Sequence, residues 1–338
     1  TPLLHAALCT SHHRLALSSM AAELNFNGTV LLVSALPATR ARGIVLAAHG
    51  CRASGRVWFN QSVSCPNCVP LPEESCLAAA ALASGFAVVA PTAADHGGCW
   101  TGIDVTAVGA ALISWRKTYK LRNAPLLGLG TSSGGWLVQQ AARNWPTVAA
   151  LTSIVSVPPL GDVQPPLPRA SPYPPLQLIL MRKDTGKAKE AAALQAVLKP
   201  PPEVLESAPR KVDRGFFARQ IRGLAPSVSS DLHAALLRAG YVRDSGDLAS
   251  HPRRGTWRDA VRAALPKDRS LLPQRSQEVA LDAIFQELNK FIERYEDLQF
   301  ASDLVFASSC AAFIVLVLAF VGLYCNPSRY DLRSLGFF

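Results

Sequence analysis

The chain reads as an α/β protein, a mostly parallel sheet with helices on both faces, and three observations predict this. Short, near-continuous apolar runs alternate with helix-period segments from residue 24 onward. The runs are four to ten residues long and bounded by Gly or Pro, the signature of buried strands rather than helices. One of them, Leu126 to Leu129, passes through Gly130-Thr131-Ser132-Ser133-Gly134 directly into a helical pattern marked by Trp136, Leu137, Gln140 and Ala141.

Taken in order, Thr29 to Ser34 and Gly43 to Ala48 are the first two strands, the second running into His49-Gly50-Cys51. Glu73 to Ala83 predicts a helix, Phe86 to Ala90 a strand stopped by Pro91, and Val105 to Thr118 a helix. The strand at Leu126 and the helix Gly134 to Asn144 follow, then strands within Val148 to Val157 and at Leu176 to Met181. Proline-rich segments at 158–175 and 200–209 read as excursions over the sheet, because closely spaced prolines exclude helix and central strand. Helical patterns return near 214–240 and 273–299. The division expected is an unassigned leader at 1–23, one α/β domain over 24–299, a transmembrane helix over 304–325 and a short tail at 326–338. Leu304 to Cys325 carries no charged residue, and about 20 apolar residues at roughly 1.5 Å each span a hydrocarbon core of about 30 Å. Leu304 to Cys325 is therefore expected to be a single-pass C-terminal anchor, and without a visible signal peptide the domain is expected on the cytosolic side.

Among 338 residues, 49% are hydrophobic and 17% charged, which excludes a wholly disordered chain. Lys and Arg number 34 against 24 Asp and Glu, for a net charge of +10. The cations are scattered, without the aromatic interleaving of single-strand binders, so the expected partners are a small acyl substrate and a membrane, not nucleic acid. No cofactor is implied. Of the eight cysteines, five lie between Cys51 and Cys99. Cys65-Pro66-Asn67-Cys68 could be a disulfide or redox pair, part of a zinc site with Cys51, Cys76 and Cys99, or plain buried thiols; zinc is disfavoured because a second close pair is missing.

The chemistry concentrates on the turn. In G-x-S-x-G, small neighbours let the backbone double back and lift a serine above the sheet, with the helix N-terminus beneath it facing developing negative charge. Ser132 is the candidate nucleophile, and the backbone N–H groups of Cys51 and Ser133 are the candidate oxyanion donors. His49 precedes that loop and reads as a residue holding it, not as a base. Asp184 falls after the sixth strand, placed either to orient a base or to cap the helix that starts at 185. Downstream of it only His233, inside a helical pattern, and His251, in a loop, could be the base; His251 is the candidate, against the plainer reading of a solvated loop histidine.

Several blocks in one order then carry a resemblance: Ala41-Arg42-Gly43-Ile44-Val45-Leu46-Ala47-Ala48-His49-Gly50-Cys51; Cys65-Pro66-Asn67-Cys68 with Leu71-Pro72-Glu73-Glu74; Gly98-Cys99-Trp100; the turn at Ser132; and Gly240-Tyr241, Pro252-Arg253 and Trp257-Arg258. Over roughly residues 25–295 the chain resembles the α/β-hydrolase-like proteins of plants and green algae. The resemblance implies an α/β-hydrolase fold and a serine hydrolase of esterase or lipase type, on a fold that also hosts non-enzymes. One position departs: where the family pattern has a His-Glu pair on a late helix, this chain has Gln286-Glu287. Glutamine cannot carry a proton near neutral pH, so the alternative expectation is a hydrolase-like binding protein with impaired chemistry.

Overall fold

The computed structural model describes residues 21–26, 30–94, 98–163, 172–181, 184–207, 211–221, 223–249 and 257–273, with 277, 280, 281 and 284. Eight strands form one sheet in the order β1-β2-β4-β3-β5-β6-β7-β8. β1 (Ala22–Phe26) and β2 (Val30–Ala35) are an antiparallel pair, and β2 lies antiparallel to β4 (Phe86–Pro91). From β4 through β3 (Gly43–Ala48), β5 (Leu126–Thr131), β6 (Val148–Ile154), β7 (Leu176–Met181) and β8 (Glu203–Ser207), every pairing is parallel.

Parallel neighbours require crossovers, and these are the helices α1 (Pro72–Ala83), α2 (Gly102–Thr118), α3 (Ser133–Asn144), the short α4 (Leu160–Val163) and α5 (Thr185–Val197). Alternate strand residues feed two cores. Ile44, Leu46 and Val89 pack with Leu112 and Trp115 of α2 and Leu137 of α3 on one face; Val45, Ala47 and Val88 pack with Leu77 and Ala81 of α1 on the other. Burial on both faces is why these strands read as unbroken apolar runs. A third, all-helical core joins α6 (Phe216–Gln220), α7 (Pro226–Arg238) and α8 (Trp257–Ala264) around Phe217, Leu232, Leu236 and Trp257.

Four elements depart from the sequence expectation: β1 begins at Ala22, inside the leader left unassigned, α4 makes one helical turn within 158–175 where Pro159 is followed by no proline until Pro165, and the other two lie further along. The proline-rich 200–209 stretch contains β8, which pairs with β7 in full register from Gln177↔Glu203 to Met181↔Ser207. The prolines do not prevent it, because β8 is an edge strand and begins only after Pro202. The 214–240 pattern is two helices, broken where Gly223 takes a positive φ and Pro226 starts α7. No helix among the described residues is long and apolar enough to cross a membrane. The Leu304–Cys325 run, like most of 273–299, lies outside the described residues.

Candidate active site

β5 ends at Thr131 and α3 starts at Ser133, so a single residue, Ser132, makes the strand-to-helix turn. It does so with φ 53° and ψ −118°, a left-handed conformation that costs a non-glycine residue of order 1–3 kcal/mol and persists only where surroundings enforce it. The enforcing contacts come from the glycines. A Cβ on Gly130 would lie 2.1 Å from the Gly134 carbonyl oxygen, and one on Gly134 would lie 2.2 Å from the Ala48 carbonyl oxygen. α3 is thereby pressed onto the ends of β3 and β5. The Ser132 N–H donates to the Ile154 carbonyl at 2.8 Å, tying the turn to the end of β6, where Val155 also takes a positive φ of 51°. The Ser132 side chain does not cap α3 and is half-buried.

The loop after β3 arrives at the same place. A Cβ built on Gly50 would sit 3.7 Å from Ser132 Cβ, which brings the backbone of Gly50 and Cys51 alongside the turn. Neither the Cys51 nor the Ser133 N–H donates to a backbone carbonyl among the described residues, and Ser133 is at the helix start where such groups are left over. The loop is held from behind by three ties to one segment. Cys51 is disulfide-bonded to Cys99, the Arg52 N–H donates to Gly98 O at 3.2 Å, and Trp100 Nε1 donates to His49 O at 2.8 Å. Arg52 itself has φ 64°.

His49 is fully buried and has both ring nitrogens occupied. Nδ1–H donates to Gly50 O at 2.7 Å, and Nε2 accepts from the Ala93 N–H at 3.1 Å. Burial holds its pKa down at about 4, against the opposing effects of the Gly50 hydrogen bond and the nearby Asp104 charge. A neutral imidazole with no nitrogen to spare fixes the loop and cannot act as a base.

Asp184 lies where β7 gives way to α5, two strands along from β5. Its Oδ1 accepts from the Lys187 N–H at 2.9 Å, so the helix-capping role is real, and it leaves Oδ2 for a second donor. Asp162, on the short α4, has both oxygens committed to the C-terminal half of α3, one to Arg143 at 2.5 Å and one to Gln140 at 2.7 Å. His233 is on α7, beside Asp213. His251 and Gln286 lie outside the described residues.

The five cysteines among the described residues are all disulfide-bonded. Cys65 is disulfide-bonded to Cys68 and Cys76 is also in a disulfide, so the Cys65-x-x-Cys68 sulfurs that cluster with Glu23 have no thiolate to offer a metal. The Cys51–Cys99 bond and the role of Trp100 escaped sequence reasoning. Their only signal was the Gly98-Cys99-Trp100 block, which has no chemistry of its own until the fold sets it against the loop after β3.

The strand order, the antiparallel β2, the serine turn after β5 and the acid after β7 together define an α/β-hydrolase-like fold. No protein-family model matches the chain, and no curated protein matches it. Among solved structures it is similar to a dienelactone hydrolase from Anabaena variabilis, at 17% identity and a TM-score of 0.41 over 65% of this chain and 97% of that one. It is also similar to the Francisella virulence factor BioJ, at 12% identity and 0.40 over 60% and 79%. A third is the Pyrococcus furiosus esterase Pf2001, at 14% and 0.39 over 56% and 82%.

Proposed function

We propose that the chain is a serine hydrolase that cleaves an ester or related acyl bond with Ser132 as nucleophile. The observation that carries this reading is the strained Ser132 turn beside the Gly50–Cys51 loop, which supports a site where one acyl carbon meets a nucleophile and two backbone N–H groups. Ser132 Oγ attacks the carbonyl while His251 takes its proton, and Asp184 Oδ2 orients the imidazole. The N–H groups of Cys51 and Ser133 hold the oxyanion. The alcohol leaves with the proton from His251, and water then repeats the sequence to release the acid. The chain's resemblance to the plant and algal α/β-hydrolase-like proteins supports the same class of reaction.

Labelling with a fluorophosphonate probe tests it. The unmodified chain should label, Ser132→Ala should not, and His251→Gln should slow labelling by at least about 100-fold. Absent labelling of the unmodified chain would sink the enzyme and favour the impaired binding protein with Gln286 in the place of a base. A His251→Gln variant that labels at full rate would remove His251 alone from the scheme.

We further infer that residues 304–325 anchor the domain in a membrane, with the domain on an oxidising side in place of the cytosolic one first expected. The disulfides support this, since such bonds persist where glutathione does not reduce them. Deleting 301–338 should move the protein from the membrane to the soluble fraction. Maleimide mapping of protein taken from its native source, alkylated before lysis, should find Cys51, Cys65, Cys68 and Cys99 blocked; free thiols at these positions would return the domain to the cytosol.

A further inference from the structure

At the opposite end of the sheet from Ser132 is a cavity of about 570 Å³ that the hydrolase reading does not use. It opens where β3 and β5 begin and α2 ends, about 20 Å from the serine given six-residue strands. Five cations line it: Arg40, Arg42, Lys117, Lys120 and Arg122, and no carboxylate does. Among the described residues none of the five is in an ion pair; Arg42 lies over the Phe86 ring at 5.7 Å.

The wall is built, not incidental. Arg116, buried under the end of α2, donates to the carbonyls of Leu121, Arg122 and Ala124, and its guanidinium thereby curls the 119–125 segment into place. Lys120 adopts φ 57° within that curl. The other wall is fixed by the Arg42 N–H donating to Gly85 O at 2.8 Å. A sixth cation is therefore spent on backbone oxygens to hold the loop that carries two of the five. Uncompensated like charges around a concavity repel one another and focus a positive potential into it. The volume falls in the range of small-molecule sites, and the concave form suits a discrete ligand better than a flat surface.

We propose that this cavity binds a polyphosphorylated ligand. A phosphate monoester carries about −1.5 to −2 charges, so about three phosphate groups balance the five cations, and arginine forks match phosphate oxygens in bidentate pairs. The same chemistry is offered by a soluble polyphosphate and by a phosphoinositide headgroup.

The test is calorimetric titration of the unmodified chain with tripolyphosphate and with inositol hexakisphosphate, together with capture on phosphatidylcholine vesicles with and without a phosphoinositide. All the cations to be changed are exposed, so the variants should fold. Arg40→Gln/Lys120→Gln/Arg122→Gln should weaken tripolyphosphate binding at least about tenfold, and the charge-matched Lys189→Gln/Arg262→Gln/Arg269→Gln should leave it unchanged. Binding of the soluble ions without phosphoinositide-dependent capture assigns a soluble ligand; capture that the cavity variant loses assigns the headgroup. No binding of either ion by the unmodified chain, or equal losses in both triple variants, overturns the proposal.

Discussion

A single methyl group separates the two kinds of glycine in this chain. At Gly134 an added Cβ would lie 2.2 Å from the Ala48 carbonyl oxygen, and the colliding atom is backbone at the end of a central strand, which cannot step aside. At Gly102, which opens α2, a Cβ meets nothing within 4 Å. Gly134→Ala should therefore lose at least about 3 kcal/mol or fail to accumulate folded, and Gly102→Ala should gain up to about 1 kcal/mol by restricting the unfolded chain. Urea unfolding of the two variants checks both signs. The turn at Ser132 was legible in the sequence because only small residues tolerate that approach, and the spacing of the glycines records it. The work of His49 was only half legible: a histidine before a glycine suggests a held loop, but nothing in the sequence names the Ala93 N–H that occupies its second nitrogen.

Among the elements, those buried on both faces were easiest to read. Gly43–Ala48 and Leu176–Met181 match the apolar runs residue for residue, because a strand buried on both sides is almost wholly apolar, and the one polar side chain, Gln177, is buried only with hydrogen bonds to Thr152 and Glu203. β1 and β8 escaped because they are the two edges of the sheet, where polar residues such as Glu23, Asn25, Glu203 and Glu206 are tolerated and periodicity fades. Cysteine pairing escaped for another reason: which sulfurs meet is a property of the fold, not of spacing. The two bonds should differ in worth. Cys51–Cys99 spans a separation of 48 residues and Cys65–Cys68 one of 3, so loop-closure entropy assigns them about 4 and about 1.5 kcal/mol. Unfolding of Cys51→Ser/Cys99→Ser and Cys65→Ser/Cys68→Ser should show that order. If Cys51 also supplies an oxyanion donor, the first variant should lose kcat at nearly unchanged KM, and the second should lose neither.

At the scale of the whole molecule, two of the buried titratable groups among the described residues, Glu74 and His49, have effects on stability that oppose each other. Burial pushes the Glu74 carboxyl on α1 up to about 7 from an ordinary 4.5, and holds His49 down at about 4 from an ordinary 6.5. Between pH 4.5 and 7 folded Glu74 keeps a proton that the unfolded chain has lost, so its contribution falls as pH rises through that window. Between pH 6.5 and 4 unfolded His49 takes a proton that the folded chain refuses, so its contribution falls as pH drops. Each swing is on the order of 3 kcal/mol, since one pKa unit is about 1.4 kcal/mol. Where the windows overlap, between pH 4.5 and 6.5, the two slopes cancel and these groups leave stability nearly flat. Glu74→Gln removes one side of the balance. It should be close to neutral at pH 4.5, stabilising by about 3 kcal/mol at pH 8, and its stability should climb with pH between 4.5 and 6.5 where the parent's is level. Urea midpoints of both chains at half-unit pH steps measure this. Parallel curves would mean that Glu74 is ionised inside the fold, and that its burial is offset by a charge partner.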